Sequence, residues 1–214
     1  MRMSEPLPEL IRRWQAGWGL ARGLPPAEES GGALHVRFGL PRRRMESIVL
    51  DLDALPALAA GVFAADRPDW LTVITTDLGA AVEAVEAAGL RVMDDSESFM
   101  GIALDAHPVR VAAPPYKLVV STDGPVSRAE VWAGELAAYG TVAVAGRDAV
   151  AHDIATVPEH RRRGLAAVVM SALAAQAAGR GAKTGLLVAS EEGRHLYTAL
   201  GWEPIAAMLV AFKP

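Results

Sequence analysis

Between Ala151 and Ala166 the chain reads AHDIATVPEHRRRGLA: an apolar-leaning strand, a proline stop, a short arginine-rich turn, and a glycine that opens a long alanine-rich helix. Such a strand–loop–helix junction occurs in every α/β protein, and the alternation of helix and strand around it implies a mixed α/β sheet with helices on its faces. The junction also has a particular chemistry. The first N–H groups of a helix lack intrahelical acceptors, and the helix dipole adds positive potential there. Arg161, Arg162 and Arg163 surround the same spot, and Gly164 has no Cβ to keep a ligand off the backbone. Exposed amides, guanidinium groups and a helix N-terminus together suit a phosphate or pyrophosphate. A solvated strand–helix junction carries similar residues. The Gly-Lys-Ser/Thr of a Walker loop is missing, so nucleotide hydrolysis of that type has no support.

Leu7, Leu10, Ile11, Trp14 and Trp18 recur at helical spacing and predict a first amphipathic helix, closed by Gly23, Pro25 and Pro26. Its tryptophans read as packing residues. Residues 28–32 read as loop, 35–40 as strand, 42–44 as a solvated charged turn, 45–50 as strand and 54–65 as helix. A buried-type strand follows at 70–75, then a helix capped by Asp77 and stopped by Gly89, then strands at 90–93 and 98–104. Asp94, Asp95 and Glu97 read as a polar loop between them. After a connector rich in proline, strands are predicted at 116–121, 126–134, 135–145 and 149–156, a helix at 165–179, a strand at 186–189, a helix at 192–200 and a last strand at 205–212. The order of elements from Met45 repeats from Ala149: Ala87-Ala88-Gly89-Leu90 takes the place of Ala199-Leu200-Gly201-Trp202, and Val85 that of Tyr197. The first copy has no arginine turn; its equivalent stretch, 52–58, contains no arginine. The expected division is a lobe over 1–110 and a second domain over 111–214.

Composition narrows the function. Of the 214 residues, 51% are hydrophobic, enough for a sizeable core. The net charge of −4 argues against a general nucleic-acid or membrane-surface binder. The chain has no cysteine, which removes thiol nucleophiles and cysteine metal sites, and its five histidines show no ligand spacing, so no metal is expected. No apolar run reaches membrane-spanning length and no secretory core opens the chain, so a cytoplasmic location is the expectation.

Arg161-x-x-Gly164-x-Ala166, preceded by Val157-Pro158-Glu159-His160, resembles the acetyl-CoA-binding signature of the GCN5-related N-acetyltransferases (GNAT family), and Leu196-Tyr197-x-x-Leu200-Gly201-Trp202 resembles that family's later helix and turn. The resemblance covers roughly residues 115–214. It implies a GNAT-type acyl-CoA N-acyltransferase fold, a mixed α/β sheet, with the N-terminal half a degenerate GNAT-like unit of a tandem repeat. It implies acetyl-CoA as acyl-donor cosubstrate, an unknown amine of a small molecule or peptide as acceptor, direct attack in a ternary complex, and a monomer or homodimer. Backbone near Ile154, Ala155 and Thr156 would hold the pantetheine and acetyl oxygen, and N–H groups of Arg161, Arg162, Arg163, Gly164, Leu165 and Ala166 the pyrophosphate. Ser190 stands where the family often has an asparagine at the cofactor. Tyr197 is the expected general acid, since a phenol keeps its proton at pH 7. Asp153 or His152 is the expected base, with Glu191, Glu192, Glu135 or a water relay as alternatives. Two other classes stand beside the enzyme: a catalytically silent acyl-CoA-binding regulator, which would not need Tyr197, and a structural scaffold, which would not need Arg161 to Ala166.

Overall fold

Helix boundaries fall where local chemistry puts them. The computed structural model describes residues 5–66, 68–93 and 97–214. Helix α1 (Leu7–Ala21) carries proline at its start and buries Leu10, Ile11, Trp14 and Trp18 on one face. Strands β1 (Glu28–Ser30), β2 (Ala33–Leu40) and β3 (Arg43–Val49) follow as two hairpins, then α2 (Leu55–Ala64), β4 (Asp69–Thr75), α3 (Leu78–Ala87), β5 (Arg91–Val92) and β6 (Glu97–Ala103). The second half runs β7 (Lys117–Asp123), β8 (Val126–Trp132), β9 (Leu136–Ala145), β10 (Asp148–Thr156), α4 (Leu165–Gly179), β11 (Thr184–Ala189), α5 (Glu191–Ala199) and β12 (Glu203–Phe212). Asp77 caps α3 as predicted, its carboxylate accepting the Ala80 N–H at 3.0 Å. Among the described residues no helix is long and apolar enough to cross a membrane.

The strands form one sheet in the order β1-β2-β3-β4-β12-β6-β11-β10-β9-β8-β7, with β5 paired to β12. This order is nearly palindromic. β2-β3-β4-β12 from one end matches β9-β10-β11-β6 from the other, and β3 with β4 and β10 with β11 are the parallel pairs. Each half therefore lends its last strand to the other: β12 pairs with β4 from Ala207 to Phe212, and β6 pairs with β11 from Ser98 to Ala103. The repeat expected from element order extends to the helix ends. Leu90 N–H bonds the Val85 carbonyl at 3.2 Å, and Trp202 N–H bonds the Tyr197 carbonyl at 3.0 Å.

The core lies on both faces of this sheet. One face is covered by α1, over Val36, Ile48, Ile74, Phe99, Val150, Leu186 and Met208. The other carries α4 with the Tyr197–Trp202 end of α5 in one cluster, and α2 with α3 in a second. Helix α1 sits close on β10 because Gly17 allows it: a Cβ there would lie 2.4 Å from Val150 Cγ2.

Two expectations are corrected. Residues 28–30 are not loop but edge strand, because Gly31 and Gly32 take positive φ and close a two-residue hairpin. The Arg42–Arg44 run is not a solvated turn. The chain reverses at Pro41-Arg42, so Arg43 and Arg44 already belong to β3, where Arg43 pairs with Glu46 and Arg44 with Asp69 at 2.5 Å. Of the expected polar loop, Asp94 and Asp95 lie outside the described residues, and Glu97 opens β6.

Candidate active site

Strands β10 and β11 run together for three residues only, Asp148↔Thr184, Ala149↔Gly185 and Val150↔Leu186. Beyond Val150 they part. β10 continues to Thr156 against β9 alone, and its register slips between His152 and Ala155, with Asp153 at φ 55° in the bulge. β11 continues to Ala189 against β6 alone. The facing edges of the two strands are thus open, and the N–H groups of β10 that point across the gap have no strand partner among the described residues. In the first half β3 stays paired with β4 through Val49↔Val73 and then ends; a 3-10 turn, Leu52–Ala54, leads straight into α2. In that half β3 ends with its pairing, and no arginine follows it before α2.

The turn after β10 is shaped for an anion. A 3-10 turn, Pro158–His160, precedes it, and Arg162 and Gly164 both take left-handed conformations, at φ 62° and 74°. Gly164 is the residue type this conformation favours, and helix α4 begins directly behind it. The first bond along α4 runs from Val168 N–H to the Gly164 carbonyl at 3.2 Å, so the N–H groups of Leu165, Ala166 and Ala167 have no intrahelical acceptor. Arg161 differs from expectation: its N–H is spent on the Pro158 carbonyl at 3.2 Å. Arg163 also turns away from the anion position. Its Nη1 donates to the Tyr116 hydroxyl at 2.7 Å, Tyr116 meets His160 Nδ1 at 3.0 Å, and His160 Nε2 lies 3.3 Å from Glu135. Tyr116 and His160 thus brace the turn. Glu135, one of the alternative bases, is engaged there rather than in the cavity.

A cavity of about 750 Å³ opens beside the parted strands. It is bounded by Ala151, His152, Asp153 and Ile154 of β10, by Val188 and Ala189 of β11, and by Ser190, Glu191, Glu192 and Tyr197 of α5. Ala155, Thr156 and the arginine turn lie further along the chain from this wall. Ser190 is the N-cap of α5, its Oγ accepting the Gly193 N–H at 3.2 Å, so its side chain serves the helix start. Tyr197 is buried, and burial pushes its phenol up to about 12. It is therefore a protonated donor throughout the physiological range. His152 Nε2 lies 3.3 Å from Arg22 Nη1. A guanidinium only donates, so the proton of the neutral imidazole sits on Nδ1. Burial, and then the Arg22 charge, push His152 below its ordinary value, with Asp153 opposing; at pH 7 the ring is neutral.

Sequence reasoning missed the opposite wall. Trp14 and Trp18 of α1, its cap residue Arg22, Arg43 and Glu46 of β3 and Trp70 of β4 line the same cavity. The tryptophans are core, as expected, and lining as well. The spacing Trp14, Trp18, Arg22 marks one helix face and was the available signal. The β3 and β4 residues gave none, because only the sheet order brings them here.

The family model for the acetyltransferase (GNAT) domain matches residues 127–204. No curated protein matches the chain in sequence. Among solved structures, a GCN5-related N-acetyltransferase from Kribbella flavida is similar over 99% of this chain and 97% of its own, with a TM-score of 0.76 at 15% identity. A GCN5-related N-acetyltransferase from Sphaerobacter thermophilus is similar over 97% of this chain and 93% of its own, with a TM-score of 0.63 at 12% identity. A tandem GNAT protein from the clavulanic acid biosynthesis pathway is similar over 86% of this chain and 80% of its own, with a TM-score of 0.61 at 16% identity. Residues 127–204 therefore match the GNAT domain, and the fold of the chain is that of the GCN5-related N-acetyltransferases.

Proposed function

We propose that this protein transfers an acetyl group from acetyl-CoA to a primary amine by direct attack in a ternary complex, at one site per chain. The observation that carries the reading is the parting of β10 from β11 after Val150, directly ahead of the free N–H row at the start of α4. In this reading the pyrophosphate lies on the N–H groups of Arg162 to Ala166, with the Arg161 and Arg162 side chains beside it. The pantetheine passes between the strands, along Ile154, Ala155 and Thr156. N–H groups on the open edge of β10 polarise the thioester oxygen as charge develops on it.

The amine then attacks the thioester carbonyl carbon, a C–N bond forms, and the C–S bond breaks. The amine proton passes to a base at the cavity wall. His152 is neutral and Asp153 is exposed beside it, and both stand on the β10 bulge. Glu191 and Glu192, at the first turn of α5, are the further carboxylates within the wall. The departing thiolate meets the Tyr197 hydroxyl; with its pKa raised, that hydroxyl acts first as a hydrogen-bond donor to sulfur. The N-terminal half, by this account, is a degenerate GNAT-like unit that walls the acceptor cavity and binds no CoA. The buried phenol retained beside the open strands favours an enzyme over a silent acyl-CoA-binding regulator. Thiol release from acetyl-CoA, followed with a panel of primary amines, tests this: amine-dependent release supports it, and CoA binding with no release under any amine favours the regulator.

A further inference from the structure

The wall of the acceptor cavity contributed by the N-terminal half brings two guanidinium groups together against aromatic rings. Arg22, at the C-terminal cap of α1, lies 5.3 Å from the ring centroids of both Trp18 and Phe38. Arg43 lies 3.9 Å from Phe38 and 4.7 Å from Trp70. Stacking holds both planar forks in place and leaves their N–H edges to act as donors. Arg43 pairs with Glu46, a carboxylate whose other oxygen accepts the Thr72 hydroxyl at 2.5 Å, and the Glu97 charge also acts on Arg43. Arg43 Nε remains buried without an acceptor among the described residues. Arg22 has a neutral ring, His152, as its hydrogen-bond partner. Burial lowers the pKa of both groups, and Arg22 further lowers that of Arg43, to about 10; both stay charged at pH 7. Carboxylate charges act on both, Glu46 and Glu97 on Arg43 and Asp153 on Arg22, and the Arg22 fork, bonded to an imidazole, is the one placed to take a ligand carboxylate.

Resting on the transferase reading above, we infer that the acceptor is an amino-acid-type zwitterion whose carboxylate is taken by Arg22 at the edge of the Arg43 pair, beside the amine that is acetylated. The spacing follows from Arg22 Nη1 standing 3.3 Å from His152 Nε2, next to the open strands: a carboxylate held here keeps an α-amine within reach of the thioester. Asp153, Glu191 and Glu192, at the strand end of the cavity, suit the cationic amine. Trp18, Trp70, Met208 and Val210 offer an apolar flank for the acceptor's side chain. A carboxylate that takes over Arg22 Nη1 also releases the His152 Nε2 lone pair, and that lone pair then accepts the amine proton. One ligand group thereby sets both position and base.

The test uses the full chain with acetyl-CoA and matched acceptors, L-leucine against L-leucinamide and L-phenylalanine against L-phenylalaninamide, read by thiol release. The expected result is a kcat/KM at least tenfold higher for each free acid, and a preference reduced to about twofold or less in Arg22→Gln, with calorimetric CoA affinity unchanged. Amides used as well as acids, or a preference that survives Arg22→Gln, overturns the inference and leaves the transferase reading standing. If acetyl-CoA itself does not bind, the transferase reading fails first. If acetyl-CoA binds and neither acids nor amides turn over, titration of L-leucine into the CoA-saturated protein decides: binding tighter than that of L-leucinamide supports the carboxylate site, and equal or absent binding overturns it.

Discussion

At the scale of single residues the account rests on Tyr197 and His152. Tyr197→Phe removes the donor to sulfur and little volume. It is expected to lower kcat by about ten- to a hundredfold, within the usual range for positioned acid–base groups, with CoA affinity unchanged in calorimetry. Full turnover would remove Tyr197 from the mechanism. For His152 the sign of the shift matters. Its folded-state pKa lies below the ordinary value, so the neutral ring predominates at pH 7, and a base role predicts that kcat/KM falls only as pH drops through a value under 6.5. The same shift makes the native state lose stability on acidification, because the contribution is present above 6.5 and disappears as pH falls through the lower folded pKa. His152→Gln is expected to abolish that acid limb in the rate profile; an unchanged limb would remove His152 as the base. The motif residues were legible in the chain because they lie close together, from Arg161 to Ala166 and from Leu196 to Trp202. Arg22, Arg43 and Trp70 were not, because they sit on three different elements and meet only in the folded sheet.

At the scale of elements, two junctions carry the site. The first is the β10–α4 turn. Gly164 holds φ 74° with open space where a Cβ would go, so Gly164→Asp combines backbone strain with a negative charge at the anion position. Its CoA affinity is expected to fall at least tenfold, and that of Arg161→Ala by a few-fold; equal affinity in both variants by calorimetry would detach this turn from cofactor binding. The second is the seat of α1 on β10. Gly17→Ala gains about 1 kcal/mol in helix propensity, but its methyl would meet the fully buried Val150 side chain at 2.4 Å. Overpacking of this kind costs about 1–3 kcal/mol, so denaturant unfolding should show a net loss of stability. Val150→Ala should relieve part of it in the double variant, and additivity of the two single effects would contradict the contact. Helix starts and stops were readable in advance, since Asp77, Gly89, Gly164 and Gly201 act through local backbone chemistry. The hairpin at Gly31-Gly32 was also local, and its glycine pair was the signal for the β1 strand that the sequence reading passed over.

At the scale of the whole molecule, the organising fact is the exchange of β6 and β12 between the two halves. The repeat of elements was legible because each unit repeats its punctuation. The exchange was not, because strand partners separated by most of the chain leave no mark in local periodicity. It has a physical consequence: neither half completes its sheet alone, and the cavity takes one wall from each. Thermal unfolding followed by calorimetry and by far-UV circular dichroism is therefore expected to show one cooperative transition, and two separated transitions would contradict it. The asymmetry between the halves matters as much as their likeness. In the second, β10 runs on past its partner and leads to an arginine turn; in the first, β3 stops where its pairing stops. The central claim is that only the second unit binds the acyl donor. Calorimetric titration of the intact protein with acetyl-CoA, against CoA and ATP, tests it most directly. The account predicts saturable binding of acetyl-CoA and CoA at one site per chain, with ATP weaker; two sites per chain, or no binding at all, would contradict it.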